Sequence, residues 1–231
     1  MDLQQDERRG IGSVQTRFHT FACEKPLSLR GGEELGPVTL SYETHGQLSD
    51  NRDNAILVFH ALSGSHHIAG HTAEVPDVGA RWNEECHVGW WDRFVGPGKA
   101  VDTNRFFVVC ANYLGGCYGS TGPSSVNPKT GRPYGASFPH VRAADVVDSQ
   151  IHLLDHLGIE KLHAVIGASL GGLMCMSLAT RYPERVGIVI PIAASLDVSP
   201  LQRIHNFEQI CAIEQDPHFR GGDYYDGSAP E

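Results

Sequence analysis

Apolar and polar positions along this chain fall into patterns that predict alternating strands and helices. Val38-Thr39-Leu40-Ser41-Tyr42-Glu43-Thr44 alternates and predicts a strand. Residues 54–60 and 105–110 are continuous apolar runs, as strands covered on both faces should be. Between 141 and 157 the apolar residues Val146, Val147, Ile151, Leu154 and Leu157 keep helical spacing, and Gly158 follows as a stop. A further apolar run, 162–166, leads into a helix-compatible stretch at 173–181, and 187–194 predicts another buried strand. Strands alternating with helices imply a mainly parallel sheet with right-handed crossovers.

Three segments, 63–91, 96–102 and 112–139, are rich in Gly, Pro and His and show no period. Each follows a predicted strand directly or closely, and ligands of open α/β sheets bind beyond the carboxyl ends of strands. Loops this long in a compact domain are functional or disordered, and their Trp, Gly and Pro content predicts ordered ones.

Composition narrows the class. The 231 residues suffice for one sizeable core or most of one, and 41% hydrophobic content suits an α/β protein. A formal net charge of -9 argues against nucleic acid or anionic membrane surfaces as partners. No apolar stretch approaches the ~20 residues of a membrane span. Residues 1–12 are polar and charged, unlike a signal peptide, and are expected to form a mobile tail. The six cysteines, Cys23, Cys86, Cys110, Cys117, Cys175 and Cys211, form no Cys-x-x-Cys and no zinc-finger spacing. Reduced thiols and a cytoplasmic location are the expectation.

The chemistry centres on Gly167-Ala168-Ser169-Leu170-Gly171, placed between the 162–166 strand and the 173–181 helix. Strand, Gly-x-Ser-x-Gly, helix is a nucleophile elbow, a turn so tight that the serine's neighbours must be small. It exposes the hydroxyl at the carboxyl edge of the sheet and aims the helix N-terminus at a reacting carbonyl. Ser169 is therefore the candidate nucleophile. Its oxyanion hole would use the backbone N–H groups of Leu170 and of Leu62, in the loop after an earlier strand. His60 is read as a strand-end histidine bonded to backbone. His66 and His67 have no carboxylate or Cys at ligand spacing, so they are expected to shape the loop rather than bind metal. Trp90 and Trp91 are read as packing, with the wall of an acyl tunnel as the alternative. Lys99 in Gly96-Pro97-Gly98-Lys99 is either a solvated turn residue or a contact to a coenzyme phosphate.

Several strings in series resemble the homoserine O-acyltransferase family of α/β hydrolases. They are His60-Ala61-Leu62-Ser63-Gly64 with His66-His67-Ile68-Ala69-Gly70; Gly89-Trp90-Trp91-Asp92; Gly96-Pro97-Gly98-Lys99; Gly115-Gly116-Cys117-Tyr118-Gly119-Ser120-Thr121-Gly122-Pro123; and the elbow itself. The resemblance covers nearly all of 16–224. It implies an α/β-hydrolase fold, a mainly parallel sheet with flanking helices, incomplete at the C-terminal end: a partial core over 13–198 and the start of a helical lid over 199–231. It also implies acyl transfer in methionine synthesis. Ser169 would take the acyl group from acetyl-CoA, a co-substrate with no other cofactor bound, and pass it to the hydroxyl of L-homoserine. The family's triad Asp and His, and a substrate-binding Arg, would lie beyond Glu231. Homodimers contacting through the lid are the family's expected assembly. Departures are Ala168 where the family has Gly, Met174-Cys175-Met176-Ser177 after the elbow, and a lengthened loop at 71–87.

Within the chain, Asp197 with His205 and Asp216 with His218 keep the order acid then His, but no predicted strand separates either pair. The competing readings are homoserine O-succinyltransferase or serine O-acyltransferase on the same scaffold, a serine esterase, and a fragment that is inactive for want of a general base.

Overall fold

A computed structural model describes residues 10–225. Most of the expected 1–12 tail lies outside the described residues. Its last part is packed: Gly12 O accepts from the His71 N–H at 2.9 Å, and Ile11 lies against the apolar face that includes Ile68. The packed body thus takes in residues ahead of 13.

Among the described residues ten strands occur in chain order: β1 (Arg17–Phe21), β2 (Leu27–Ser28), β3 (Glu34–Leu35), β4 (Val38–His45), β5 (Ala55–Phe59), β6 (Val95–Gly96), β7 (Val101–Asp102), β8 (Phe107–Ala111), β9 (Leu162–Ala168) and β10 (Val186–Ile192). Among the described residues the α-helices are α1 (Ala143–His156), α2 (Leu170–Arg181) and α3 (Pro200–Gln215). Six strands form one sheet in the order β1-β4-β8-β5-β9-β10. The β8, β5, β9 and β10 strands are parallel, while β4 is antiparallel to both β1 and β8. The sequence patterns of β4, β5, β8, β9, α1 and α2 anticipated these elements to within a few residues at their ends. Gly158 stops α1 in the left-handed conformation at φ +69°.

The short pairs β2–β3 and β6–β7 and the edge strand β1 carried no readable pattern. Each of the paired strands is two residues long. β1 is largely exposed, so it lacks the apolar alternation that marks a half-buried strand.

The two faces of the sheet are covered differently. On one, α1 and α2 set Val147, Leu154, Cys175 and Leu178 against Leu40, Leu57, Val109 and Val165. Among the described residues no α-helix packs on the other. Ile56, Val58, Val108, Cys110, Ala164 and Ile166 pack instead against Ile68, Ala69, Val95, Trp90 and Trp91 from the 63–102 segment. The loop predicted to be ordered thus does a helix's job on that face. Its backbone must come very close to do so: a Cβ on Gly89 would lie 2.2 Å from the Ala69 backbone.

One expectation is corrected. The strand predicted to be buried at 187–194 is β10, and within it only Val186 is buried. Ile188 is 48% exposed and Ile190 40%. The apolar run reports what the strand could bury; β10 pairs with β9 along one edge only. α3 follows the same rule, with no buried residue. No helix among the described residues is long and apolar enough to cross a membrane.

Candidate active site

Ser169 links β9 to α2 at φ 53°, ψ -115°, a strained conformation for a residue with a Cβ. Small neighbours make the turn possible. A Cβ on Gly171 would lie 2.2 Å from Phe59 O, and one on Gly167 would lie 2.3 Å from Gly171 O. The Ser169 N–H donates to Ile192 O at 2.9 Å, tying the elbow to β10, and Ser169 O accepts from Gly172 N and Leu173 N. The side chain is exposed.

Leu170 is the first residue of α2, so its N–H has no acceptor within the helix. Leu62 sits at the tip of a turn closed by Gly64 N–H to Ala61 O at 3.0 Å. Its side chain is 78% exposed. The register Phe59↔Gly167 sets the end of β5 beside the elbow. Leu62 and Leu170 both line a cavity of about 800 Å³, with His60, Asn112, Tyr113, Phe138 and Met174. Two N–H-bearing turns thus stand at neighbouring strand ends and line one cavity.

His60 stacks on Tyr113, ring centroids 3.8 Å apart, and its Nδ1 lies 2.7 Å from Ala61 O. Burial pushes its pKa down to about 4. The ring is then neutral at pH 7, donating from Nδ1 to the carbonyl. This is the backbone-bonded strand-end histidine of the sequence reading. Its Nε2 and Asn112 Nδ2 are buried without a hydrogen-bond partner among the described residues. Both residues line the cavity shared by Leu62 and Leu170, and a bound polar group could satisfy such atoms.

No described side chain hydrogen-bonds Ser169 Oγ. Asp197 pairs instead with Arg203 at 3.6 Å, and His205 Nε2 meets Gln209 at 3.1 Å. Asp216 lies 3.4 Å from its near neighbour His218. Neither internal Asp–His pair is drawn together at the elbow.

The segments outside the elbow have structural work. Trp90 Nε1 donates to Ser65 O at 2.9 Å, and Asp92 Oδ1 accepts from Gly70 N at 2.8 Å, so Gly89-Trp90-Trp91-Asp92 clamps the 65–70 strip. Lys99 folds onto the Asp92 carbonyl and lies 3.3 Å from its carboxylate. The Lys99 side chain is only 17% exposed and paired with Asp92, unlike the solvated turn residue that was one of its two sequence alternatives. Its loop leads to the amino end of β8. There Thr103 O lies 2.6 Å from a Cβ built on Gly46, just past β4. That edge is opposite the carboxyl ends where Ser169 stands.

Sequence reading missed Glu43. β4 turns Val38, Leu40 and Tyr42 to the helix side, and by alternation turns Ser41, Glu43 and His45 to the other face. All three are buried. His67 Nδ1 lies 3.0 Å from both Glu43 carboxylate oxygens. His45 and His66 approach at 3.6 and 3.9 Å. Burial alone would raise the Glu43 pKa, but the imidazoles of His45 and His67 outweigh it and hold the carboxyl below its ordinary value. Burial takes His66 down to about 4. The partner of His66 and His67 was invisible because it lies on a strand more than 20 residues earlier. Among the described residues no group of His, Cys, Asp or Glu is arranged to hold a metal ion.

A model of the alpha/beta hydrolase fold family matches residues 54–230. The chain belongs to the α/β-hydrolase fold family. Among curated proteins it is 44% identical over 221 residues to the homoserine O-acetyltransferase of Solidesulfovibrio magneticus, covering 95% of this chain and 53% of that one. It is 49% identical over 220 residues to the homoserine O-succinyltransferase of Azoarcus sp., covering 95% of this chain and 56% of that one. The chain thus spans about half the length of the curated relatives it matches. Two solved structures are similar: a homoserine O-acetyltransferase from Bacillus anthracis, with TM-score 0.79 and 35% identity over 93% of this α/β-hydrolase chain and 56% of that one, and an esterase, with TM-score 0.77 and 33% identity over 91% and 56%.

Proposed function

We propose that this α/β-hydrolase chain carries the nucleophile half of a homoserine O-acyltransferase. The observation that carries the reading is the elbow at Ser169 in a chain 44% and 49% identical to two homoserine O-acyltransferases over 95% of its length. Ser169 Oγ attacks the thioester carbonyl of an acyl-CoA, and the N–H groups of Leu62 and Leu170 stabilise the oxyanion. The thioester C–S bond breaks and CoA leaves as its thiol. The γ-hydroxyl of L-homoserine then attacks acyl-Ser169, frees the serine and gives the O-acyl ester, a methionine precursor. The triad Asp and His that activate Ser169 and the homoserine hydroxyl are proposed to stand in residues that follow 231 in a longer, cytoplasmic, dimeric protein. Acetyl-CoA is the proposed donor. Succinyl-CoA is the rival, since both acyl groups occur among the relatives.

The test compares acetyl-CoA with succinyl-CoA, and homoserine with serine, in a full-length protein carrying this span. Thiol release and the intact mass of the acyl-enzyme are followed. The expected outcome is an acetyl adduct on Ser169, discharged by homoserine and absent in Ser169→Ala. Preference for succinyl-CoA overturns the donor assignment. The 231-residue chain alone is expected to show negligible transfer. The similarity to an esterase supports one second reading, ester hydrolysis. Fast turnover of p-nitrophenyl esters with no thiol release from either acyl-CoA would establish it.

A further inference from the structure

The loop bearing the Leu62 N–H is held at both ends. In front, the His60 ring stacks on Tyr113, and the Tyr113 hydroxyl donates to His60 O. Behind, Ser65 O accepts from Trp90 Nε1, and Ser65 Oγ accepts from the His67 N–H at 3.2 Å. The rear anchor ends in a charge pair. His67 Nδ1 lies 3.0 Å from the Glu43 carboxylate, and His67 Nε2 lies 3.1 Å from His87 O. Both ring nitrogens thus face acceptor oxygens, the arrangement in which each can donate.

The neighbouring histidines do not take that role. His66 Nε2 meets the Thr16 hydroxyl at 2.8 Å, and its Nδ1 lies 3.4 Å from the Ser41 hydroxyl. Its depressed pKa leaves it neutral. His45 Nε2 stands 3.6 Å from Glu43, beyond hydrogen-bond length. Glu43 and His67 are 0% and 1% exposed. Two apolar side chains would fill this space without the desolvation cost of two ions, but would not fix one geometry as a directional ion pair does.

We propose that Glu43 and His67 are positioning residues, a buried ion pair that holds the oxyanion loop so that the Leu62 N–H faces the reacting carbonyl. Neither touches substrate. The pair acts from the far side of the loop, through Ser65. Only the kinetic arm of the test rests on the acyl-transfer reading.

The test uses Glu43→Gln, His67→Gln and the double variant. Three readouts are taken: backbone hydrogen exchange over 61–67, the ¹⁵N spectrum of the His67 ring and, in a full-length protein carrying this span, acyl-transfer kinetics. Each single variant removes one partner of the pair. Exchange over 61–67 is expected to rise about tenfold, ahead of any change in α1 and α2. The kcat is expected to fall about 100-fold with little change in KM, as for loss of an oxyanion donor. The double variant has no charge left unpaired and two amides able to bond each other, so it is expected to recover most of both losses. The wild-type spectrum is expected to show two protonated ring nitrogens at neutral pH. A neutral His67 ring, single variants with wild-type exchange, or a double variant whose losses multiply would each overturn the proposal. If the single variants do not fold, the wild-type spectrum decides. If wild type transfers no acyl group, the function reading fails, while exchange and the ring spectrum still decide the anchor.

Discussion

β9 and β10 lie side by side, parallel, seven residues each, and both rich in branched apolar residues. Val165 in β9 is fully buried, whereas its register partner Val189 in β10 is 36% exposed. The difference is in what surrounds the strands. β9 has β5 on one edge and β10 on the other, with α2 on one face and the Ile68–Ala69 strip on the other face. β10 has β9 alone. Apolar content measures the capacity to bury, and neighbours decide whether burial happens.

The sharpest break of this pair is a charge placed on each strand. Val165→Asp buries an unpaired carboxylate and is expected to cost about 3–5 kcal/mol or more, much of a domain's whole stability. Val189→Asp, at a solvated edge, is expected to cost less than about 1 kcal/mol. Denaturant titration of both decides the matter, and equal losses would refute the contrast.

Protons probe the buried side without mutation. His60 and His66 have folded pKa values of about 4, from burial, against an unfolded value near 6.5. Between those values the unfolded chain binds more protons, so stability falls as pH drops from about 6.5 to about 4. The loss is on the order of 3 kcal/mol for each ring. Glu43 acts in the same direction but lower down. Its depressed pKa contributes stability above the unfolded value near 4.3, lost as pH falls through the folded value. A midpoint that stays flat from pH 7 to 4.5 would contradict this.

Helices give a milder form of the comparison. Leu178 on α2 is fully buried and Leu201 on α3 is 76% exposed. Leu178→Ala is expected to cost about 2–5 kcal/mol, and Leu201→Ala within about 0.5 kcal/mol. The smallest effect has the opposite sign. Ser169→Gly relieves a positive φ and is expected to stabilise the chain by about 1 kcal/mol while abolishing the acyl adduct. A destabilised glycine variant would show that the elbow is not strained.

Much of the site was readable because it is local. Ser169, its small neighbours and the helix start at Leu170 are contiguous, and the tightness of the turn restricts residue choice at each position. Leu62 was readable by analogy with a loop that follows a strand. Glu43 was not, because a carboxylate in an alternating strand reads as a solvated face. Only the crossing of the 65–70 strip covers it. The Lys99 ion pair was not legible for a similar reason: its Asp92 partner is seven residues away across a turn.

Local periodicity and turn chemistry determined the central strands, two of the helices and the tight turn at Ser169, since each depends on residues within a few positions of one another. The tertiary structure alone decided that a loop replaces a helix layer on one face and that Glu43 finds His67 there. Those outcomes depend on which distant segments meet. Burial and ion pairing are properties of a meeting, and a pattern along one strand carries no record of what lies across from it.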